Sequence, residues 1–103
     1  MTTTVAATFC ATVVDEWVRA GVTLACVSPG SRSTPLALAL AADDRIAVAV
    51  FVDERSAAFA ALGHGLATGR PALALCTSGT AATHFHAAVV EADLSSVPLI
   101  VVT

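Results

Sequence analysis

No lysine occurs in this sequence. Its five basic residues are all arginine, spread singly along 103 residues against eight acidic ones, for a net charge of −3. Without a basic patch there is no footprint for a phosphate backbone, which argues against nucleic-acid binding. Long apolar runs are missing too. The longest, such as Ile46–Val52, reach about seven residues, against the ~20 that a membrane-spanning helix needs. No basic residue precedes Arg19, so the start lacks the charged region of a secretory signal. Cysteines are few and odd in number: Cys10, Cys26 and Cys76, each inside an apolar segment. That excludes a disulfide framework, argues against a metal site, and fits buried reduced thiols in a cytoplasmic protein. Repeats, low-complexity stretches and charge runs are also absent.

What is present is apolar. Hydrophobic residues make up 56% of the chain and charged ones only 13%, although a domain of this size has a large surface to cover. Such a chain either buries surface against a partner or is a piece of a longer protein. Pro98-Leu-Ile-Val-Val-Thr103 reads as a core strand with nothing after it. The expectation is therefore that residues 1–103 are a piece of a longer protein.

Val5, Phe9, Val13, Trp17 and Ala20 recur at helical spacing over 5–20, and Gly21 is a stop signal. Val22–Ser28 reads as a strand and Pro29–Ser33 as a loop. Thr34 is placed to cap a helix with Pro35 at its first position, running to about Ala42. Ile46–Val52 reads as the next strand. A helix follows over Ser56–Thr68, ended by Gly69 and followed by Pro71. Ala72–Cys76 is a third strand, Thr77–Thr80 a loop leading into a helix through about Ala92, and Pro98–Val102 a fourth strand. Strands alternating with helices predict an α/β fold: a three-layer parallel sheet flanked by helices, its apolar strands covered on both faces.

In such a sheet every loop that follows a strand emerges at one edge, where open α/β folds bind ligands. Three loops do so here. Ser28-Pro-Gly-Ser-Arg-Ser33 offers backbone N–H groups, hydroxyls and the planar fork of Arg32, which suits a carboxylate or phosphate. A Pro-Gly turn with a helix cap and a solvated Arg32 explains the same residues. Asp53-Glu54 sets a carboxylate beside apolar surface, where its charge is costly. Two acids complementing a helix dipole are the plainer account, stronger for Asp53 than for Glu54 if the second strand is central. Thr77-Ser-Gly-Thr80 can bring backbone against a planar ligand, or form a capped tight turn. In the helix after Glu54, Gly63 and Gly65 flank His64 among alanines, which permits close approach by a subunit or tight packing within the domain. His84 and His86 stand two apart and do not share a helix face, so no metal site is expected from the histidines.

Three segments occur in order over nearly the whole chain: Ser28-Pro-Gly-Ser-Arg-Ser-x-Pro35, Asp53-Glu-Arg-Ser-Ala-Ala-Phe59 with Ala61-Leu-Gly63, and Thr77-Ser-Gly-Thr-Ala81. Together they resemble the N-terminal, pyrimidine-binding domain of thiamine-diphosphate enzymes. More narrowly, they are similar to the 2-succinyl-5-enolpyruvyl-6-hydroxy-3-cyclohexene-1-carboxylate synthase family of menaquinone biosynthesis. The resemblance implies a truncated thiamine-diphosphate-binding fold. It implies Glu54 as the catalytic carboxylate that hydrogen-bonds the aminopyrimidine ring and promotes deprotonation of the thiazolium carbon. It further implies Ser31 and Arg32 as substrate-binding residues, and Ser78, Gly79 and Thr80, with Glu54, as cofactor-binding residues. The implied cofactors are thiamine diphosphate and Mg2+. The implied substrates are 2-oxoglutarate, which is decarboxylated, and isochorismate, which receives the resulting succinyl anion equivalent. A cytoplasmic homo-oligomer is implied for the full-length enzyme. Members of the family are several times longer and hold the diphosphate and its metal on a separate domain, so the 103 residues alone are expected to be inactive. Two other functions fit the residues: an acetolactate-synthase-like carboligase, and a non-catalytic assembly module docking through the Gly63–Gly65 helix.

Overall fold

In a computed structural model describing residues 4–103, strands and helices alternate along the chain. The order is α1 (Val5–Arg19), β1 (Leu24–Val27), α2 (Thr34–Ala42), β2 (Ala47–Val50), α3 (Glu54–Thr68), β3 (Leu73–Leu75), α4 (His86–Leu94) and β4 (Ile100–Val102). Local chemistry explains most boundaries. Thr4 Oγ1 accepts the Ala7 N–H at 3.0 Å and opens α1, and Gly21 leaves the helix at φ +102°. Asp53 accepts the Arg55 N–H at 2.9 Å and caps α3. Gly69, at φ +71°, closes α3 with its N–H on the Gly65 carbonyl at 2.9 Å, the left-handed terminus that glycine favours.

Most element ends fall within two residues of the sequence reading, with α3 starting at Glu54 and not Ser56, and two helix starts differ in kind. Thr34 is already helical, because Ser31–Ser33 wind into a tight 3-10 turn ahead of it and Ser33 takes the cap position. The helix after Thr77–Thr80 also starts late: Gly79–Phe85 form a 3-10 segment and α4 begins at His86. There Thr83 Oγ1 donates to the Thr80 carbonyl at 2.6 Å, a side-chain bond at the tighter spacing that competes with α-helical geometry.

The four strands form one parallel sheet in the order β2-β1-β3-β4, with Ala25 opposite both Val48 and Leu73, and Leu73 opposite Ile100. Side chains of the two inner strands alternate between two cores. Ala25, Val27, Leu73 and Leu75 face Val14 of α1 and Leu40 of α2. Cys26, Ala74 and Cys76 face Ala57, Ala58 and Ala61 of α3, with Phe85 and Ala88. The result is the expected three layers. Burial on both faces holds for β1 and β3 but not for the outer strands β2 and β4, whose residues are exposed or half-buried, so the core strand read at Pro98–Thr103 is half-covered. β2 is an edge strand here, so a central position cannot be used to single out Glu54.

The apolar stripe expected along the first helix holds only in its second half. Val14 is buried, with Trp17 and Val18 packed beside it, whereas Val5 and Phe9 are 88% and 67% exposed. The two glycines of α3 also separate. A Cβ at Gly65 would lie 2.7 Å from the Pro98 carbonyl oxygen and from Val97 Cγ1, whereas a Cβ at Gly63 would meet nothing within 4 Å. Gly65 thus serves packing within the domain. Gly65→Ala is expected to lower stability by about 1–3 kcal/mol through overpacking against backbone. Gly63→Ala should instead be neutral or stabilising by up to about 1 kcal/mol. Urea unfolding of the two variants distinguishes them.

At the opposite edge of the sheet from the three loops, Arg45 Nη2 bridges Asp15 Oδ1 of α1 at 2.8 Å and Asp43 Oδ2 at 2.7 Å, and Arg19 Nε adds a 2.8 Å bond to Asp15. The Arg45 guanidinium holds the Asp43 carboxyl at about 2, down from 3.8, and its hydrogen bond to Asp15 is the main cause of a lowered value there too. A carboxyl whose folded value is depressed stabilises the fold above its unfolded value and loses that contribution as pH falls. The stability difference between the wild type and Arg45→Met should therefore be largest above pH ~4 and vanish towards pH ~2. Thermal unfolding followed across that range tests this; a difference independent of pH would remove the network as its cause.

Candidate functional site at the carboxyl edge of the sheet

Neighbouring strands β1 and β3 send their chains to opposite faces. From β1 the chain turns to α2, which packs with α1, and from β3 it turns to α4, which packs beside α3. The crevice between their carboxyl ends is the topological switch point, where open α/β sheets take ligands. The loop after β1 carries Ser28–Ser33 and the loop after β3 carries Thr77–Thr80, so two of the three loops meet there.

The first loop is locked from within. Ser33, 8% exposed, donates its hydroxyl to the Gly30 carbonyl at 3.0 Å and accepts the Gly30 N–H at 3.3 Å. Its own N–H donates to the same carbonyl at 3.1 Å. Ser31 and Arg32 project from this closed turn and are exposed. Arg32 forms no ion pair among the described residues. It lines a cavity of about 210 Å³ together with Ser33, Cys76, Thr77 and Ser78. The structure thus brings Arg32 and Ser78 to one cavity. Gly79 and Thr80 follow on the exposed side of the same loop, with Gly79 at φ +78° and open space where a side chain would be.

Glu54 stands apart from that cavity's lining. It is half-buried in the first turn of α3, on the other face of the sheet from α2. Asp53 is spent on the helix cap, a more specific role than the dipole complement read for that pair. The link between the two compartments is Cys76, 1% exposed. It lines the Arg32 cavity, and its thiol is pushed up first by burial and then by the negative charge of Glu54. Arg32 and Glu54 therefore approach this edge from opposite faces of the sheet. The reason is topological: α2 and α3 leave the same edge on opposite faces.

Ser28 enters the sequence reading only as the first residue of its loop, with no role of its own. It is 3% exposed, its N–H donates to the Leu75 carbonyl at 2.9 Å, and its Oγ finds no partner among the described residues. A buried hydroxyl without a partner costs about 1–3 kcal/mol. The signal in the sequence was a serine ending an apolar strand at the ligand edge. Cys76 was read only as a buried thiol. His64 Nε2 is likewise buried without a partner, on α3, while His84 and His86 are exposed. Among the described residues no three His, Cys, Asp or Glu side chains gather as a metal site. A larger hollow of about 590 Å³ runs along α4 and β4, lined by Val89, Val97 and Val101 among others. It lies away from the three loops, and Asp93 and Ser96 are the polar residues of its lining.

Residues 7–103 match the family model described as thiamine pyrophosphate enzyme, N-terminal TPP binding domain. The chain belongs to this family. Similar relatives are the proteins named 2-succinyl-5-enolpyruvyl-6-hydroxy-3-cyclohexene-1-carboxylate synthase. That of Thermobifida fusca is 60% identical over 91 residues, covering 88% of this chain, and that of Listeria innocua is 56% identical over 95 residues, covering 92%. That of Chlorobium luteolum is 53% identical over 93 residues, covering 90%. In each case the chain spans 16% of the relative's length.

The residues present fit a thiamine pyrophosphate enzyme domain. A polar heterocycle needs donors and acceptors at the sheet edge and backbone it can approach. The unpartnered Ser28 hydroxyl, the half-buried Glu54 carboxyl and the uncluttered Gly79 turn supply these features.

Proposed function

We propose that this chain is the pyrimidine-binding part of a thiamine-diphosphate-dependent transferase that decarboxylates 2-oxoglutarate and joins the resulting four-carbon unit to isochorismate in menaquinone biosynthesis. The observation that carries the reading is the meeting of Arg32 and Ser78 across the β1–β3 crevice, with Glu54 at the neighbouring helix start. Glu54, Ser78, Gly79 and Thr80 hold the aminopyrimidine, and Ser31 and Arg32 hold a carboxylate of the substrate. The bound cofactor supplies the carbon nucleophile. Glu54 holds or releases a proton at the pyrimidine ring, a task for a positioned and partly desolvated carboxyl group. Arg32 orients the acid with a planar pair of donors. The diphosphate and its Mg2+ fall to the rest of the enzyme, in keeping with a chain that spans only 16% of its relatives' length. The whole enzyme works in the cytoplasm as a homo-oligomer. The exposed Val52, Phe59 and Leu66 around α3 support further packing partners.

The test is a graft of this chain in place of the matching segment of the Thermobifida fusca synthase. Turnover of 2-oxoglutarate should depend on isochorismate, thiamine diphosphate and Mg2+. A folded graft that turns over pyruvate pairs instead would favour the acetolactate-type reading, and one inert to both would remove the catalytic assignment. The 103-residue chain alone should show no turnover and only weak cofactor binding. Micromolar, Mg2+-dependent binding by the isolated chain in calorimetry would contradict the division of labour.

A further inference from the structure

The Pro29-Gly30 turn rests directly on a side chain of the other loop. A Cβ at Gly30 would lie 2.4 Å from Thr77 Cβ, 2.5 Å from Cγ2 and 2.8 Å from Oγ1. No real side chain fits there, so the glycine is required by close approach and not by its backbone angles, which are extended. On the near side, Gly30 is bonded through both its N–H and its carbonyl to Ser33. Gly30–Ser33 is therefore a turn closed on itself, with Arg32 inside it. On the far side, Thr77 is anchored at the end of β3. The thiol of the preceding Cys76 donates to the Thr77 carbonyl at 3.3 Å, and the Cys76 N–H donates to the Val102 carbonyl at 3.1 Å.

We propose that Thr77 is a positioning residue for Arg32: its side chain sets the separation of the two loops and so places the guanidinium over the shared cavity, tying recognition of the acidic substrate to the loop that carries Ser78, Gly79 and Thr80. Arg32 and Thr77 line the same cavity, so a change in their spacing alters its mouth. The two loops sit on adjacent strands in fixed register, with Val27 opposite Leu75. The backbone ladder fixes their roots, and the Gly30–Thr77 contact fixes their tips. This inference rests on the reading of Arg32 as the partner of a substrate carboxylate.

The experiment is a double-mutant cycle in the grafted full-length enzyme. Gly30→Ala drives a methyl group into Thr77, Thr77→Gly empties that space, and the pair places the methyl group where the Thr77 side chain had stood, without the clash. A misplacement of about 1 Å costs up to ~10²-fold in favourable cases. Gly30→Ala should therefore raise the apparent KM for isochorismate roughly tenfold or more, with the KM for thiamine diphosphate little changed. Gly30→Ala/Thr77→Gly should recover most of the loss, a coupling that only contacting residues show. A purely structural role would lower Tm without this split between substrate and cofactor. Crystal structures of the variants give a readout independent of turnover: Arg32 should shift in Gly30→Ala and return in the pair. Unchanged isochorismate kinetics in Gly30→Ala, or a pair no better than the single variant, overturns the proposal. If Gly30→Ala does not fold, an unchanged KM for isochorismate in Thr77→Gly overturns it equally. A wild-type graft that ignores isochorismate counts against the proposed reaction, and an unmoved Arg32 in the variant structures counts against the positioning role.

Discussion

Glu54→Gln in the grafted enzyme is expected to keep the fold and cut turnover by roughly 10²-fold or more, the scale of a lost proton-transfer group. Glutamine preserves length and one acceptor oxygen but cannot hold or release the proton. The side chain is half-buried at the start of α3 and carries no ion pair among the described residues, so the substitution breaks no salt bridge there. Exchange of the thiazolium proton in bound thiamine diphosphate should slow in parallel. Near-normal exchange would remove the assignment. A second readout needs no activity. The Cys76 thiol is raised by burial and, next, by the Glu54 charge. A neighbouring anion disfavours the thiolate, so removing it should lower the Cys76 value while burial keeps it above the ordinary thiol range. Alkylation of Cys76 followed site by site against pH measures that shift. No change would mean that the carboxylate does not face the β3 end.

Arg32→Ala should raise the apparent KM for isochorismate far more than that for the cofactor. Arg32 is exposed in this domain, so the loss belongs to a charged hydrogen bond and not to a fully desolvated pair: about 1.5–3 kcal/mol, roughly tenfold to a hundredfold. Arg32→Lys should recover only part, because a point charge cannot reproduce the two-pronged contact. Unchanged isochorismate kinetics in Arg32→Ala would return the residue to a solvated position beside a helix start. Since Ser31 and Arg32 stand on one closed turn, Ser31→Ala offers a control that removes a hydroxyl without the charge.

The sequence by itself determined the alternation of elements and the common edge at which the strand-to-helix loops emerge. Those features are local. Glycine and proline stops, the Asp53 cap, and apolar runs such as Leu73–Cys76 act within a few residues of one another. A parallel sheet then forces every strand-to-helix loop to one side. The loop residues Arg32, Ser78 and Gly79 were legible for that reason, and so was the family, because its three segments are contiguous in sequence. Only the tertiary structure decided the order β2-β1-β3-β4. Strand order depends on which neighbours the helices allow, and no local signal records it. That order made β2 an edge, put the crevice between β1 and β3, and sent α2 and α3 to opposite faces, so that Arg32 and Glu54 flank Cys76 from opposite sides. It also decided what depends on distance. The unpartnered Ser28 hydroxyl, the contact of Gly30 with Thr77, and the different fates of Gly63 and Gly65 arise between residues far apart in the chain. Close packing sets them, and periodicity carries no trace of it.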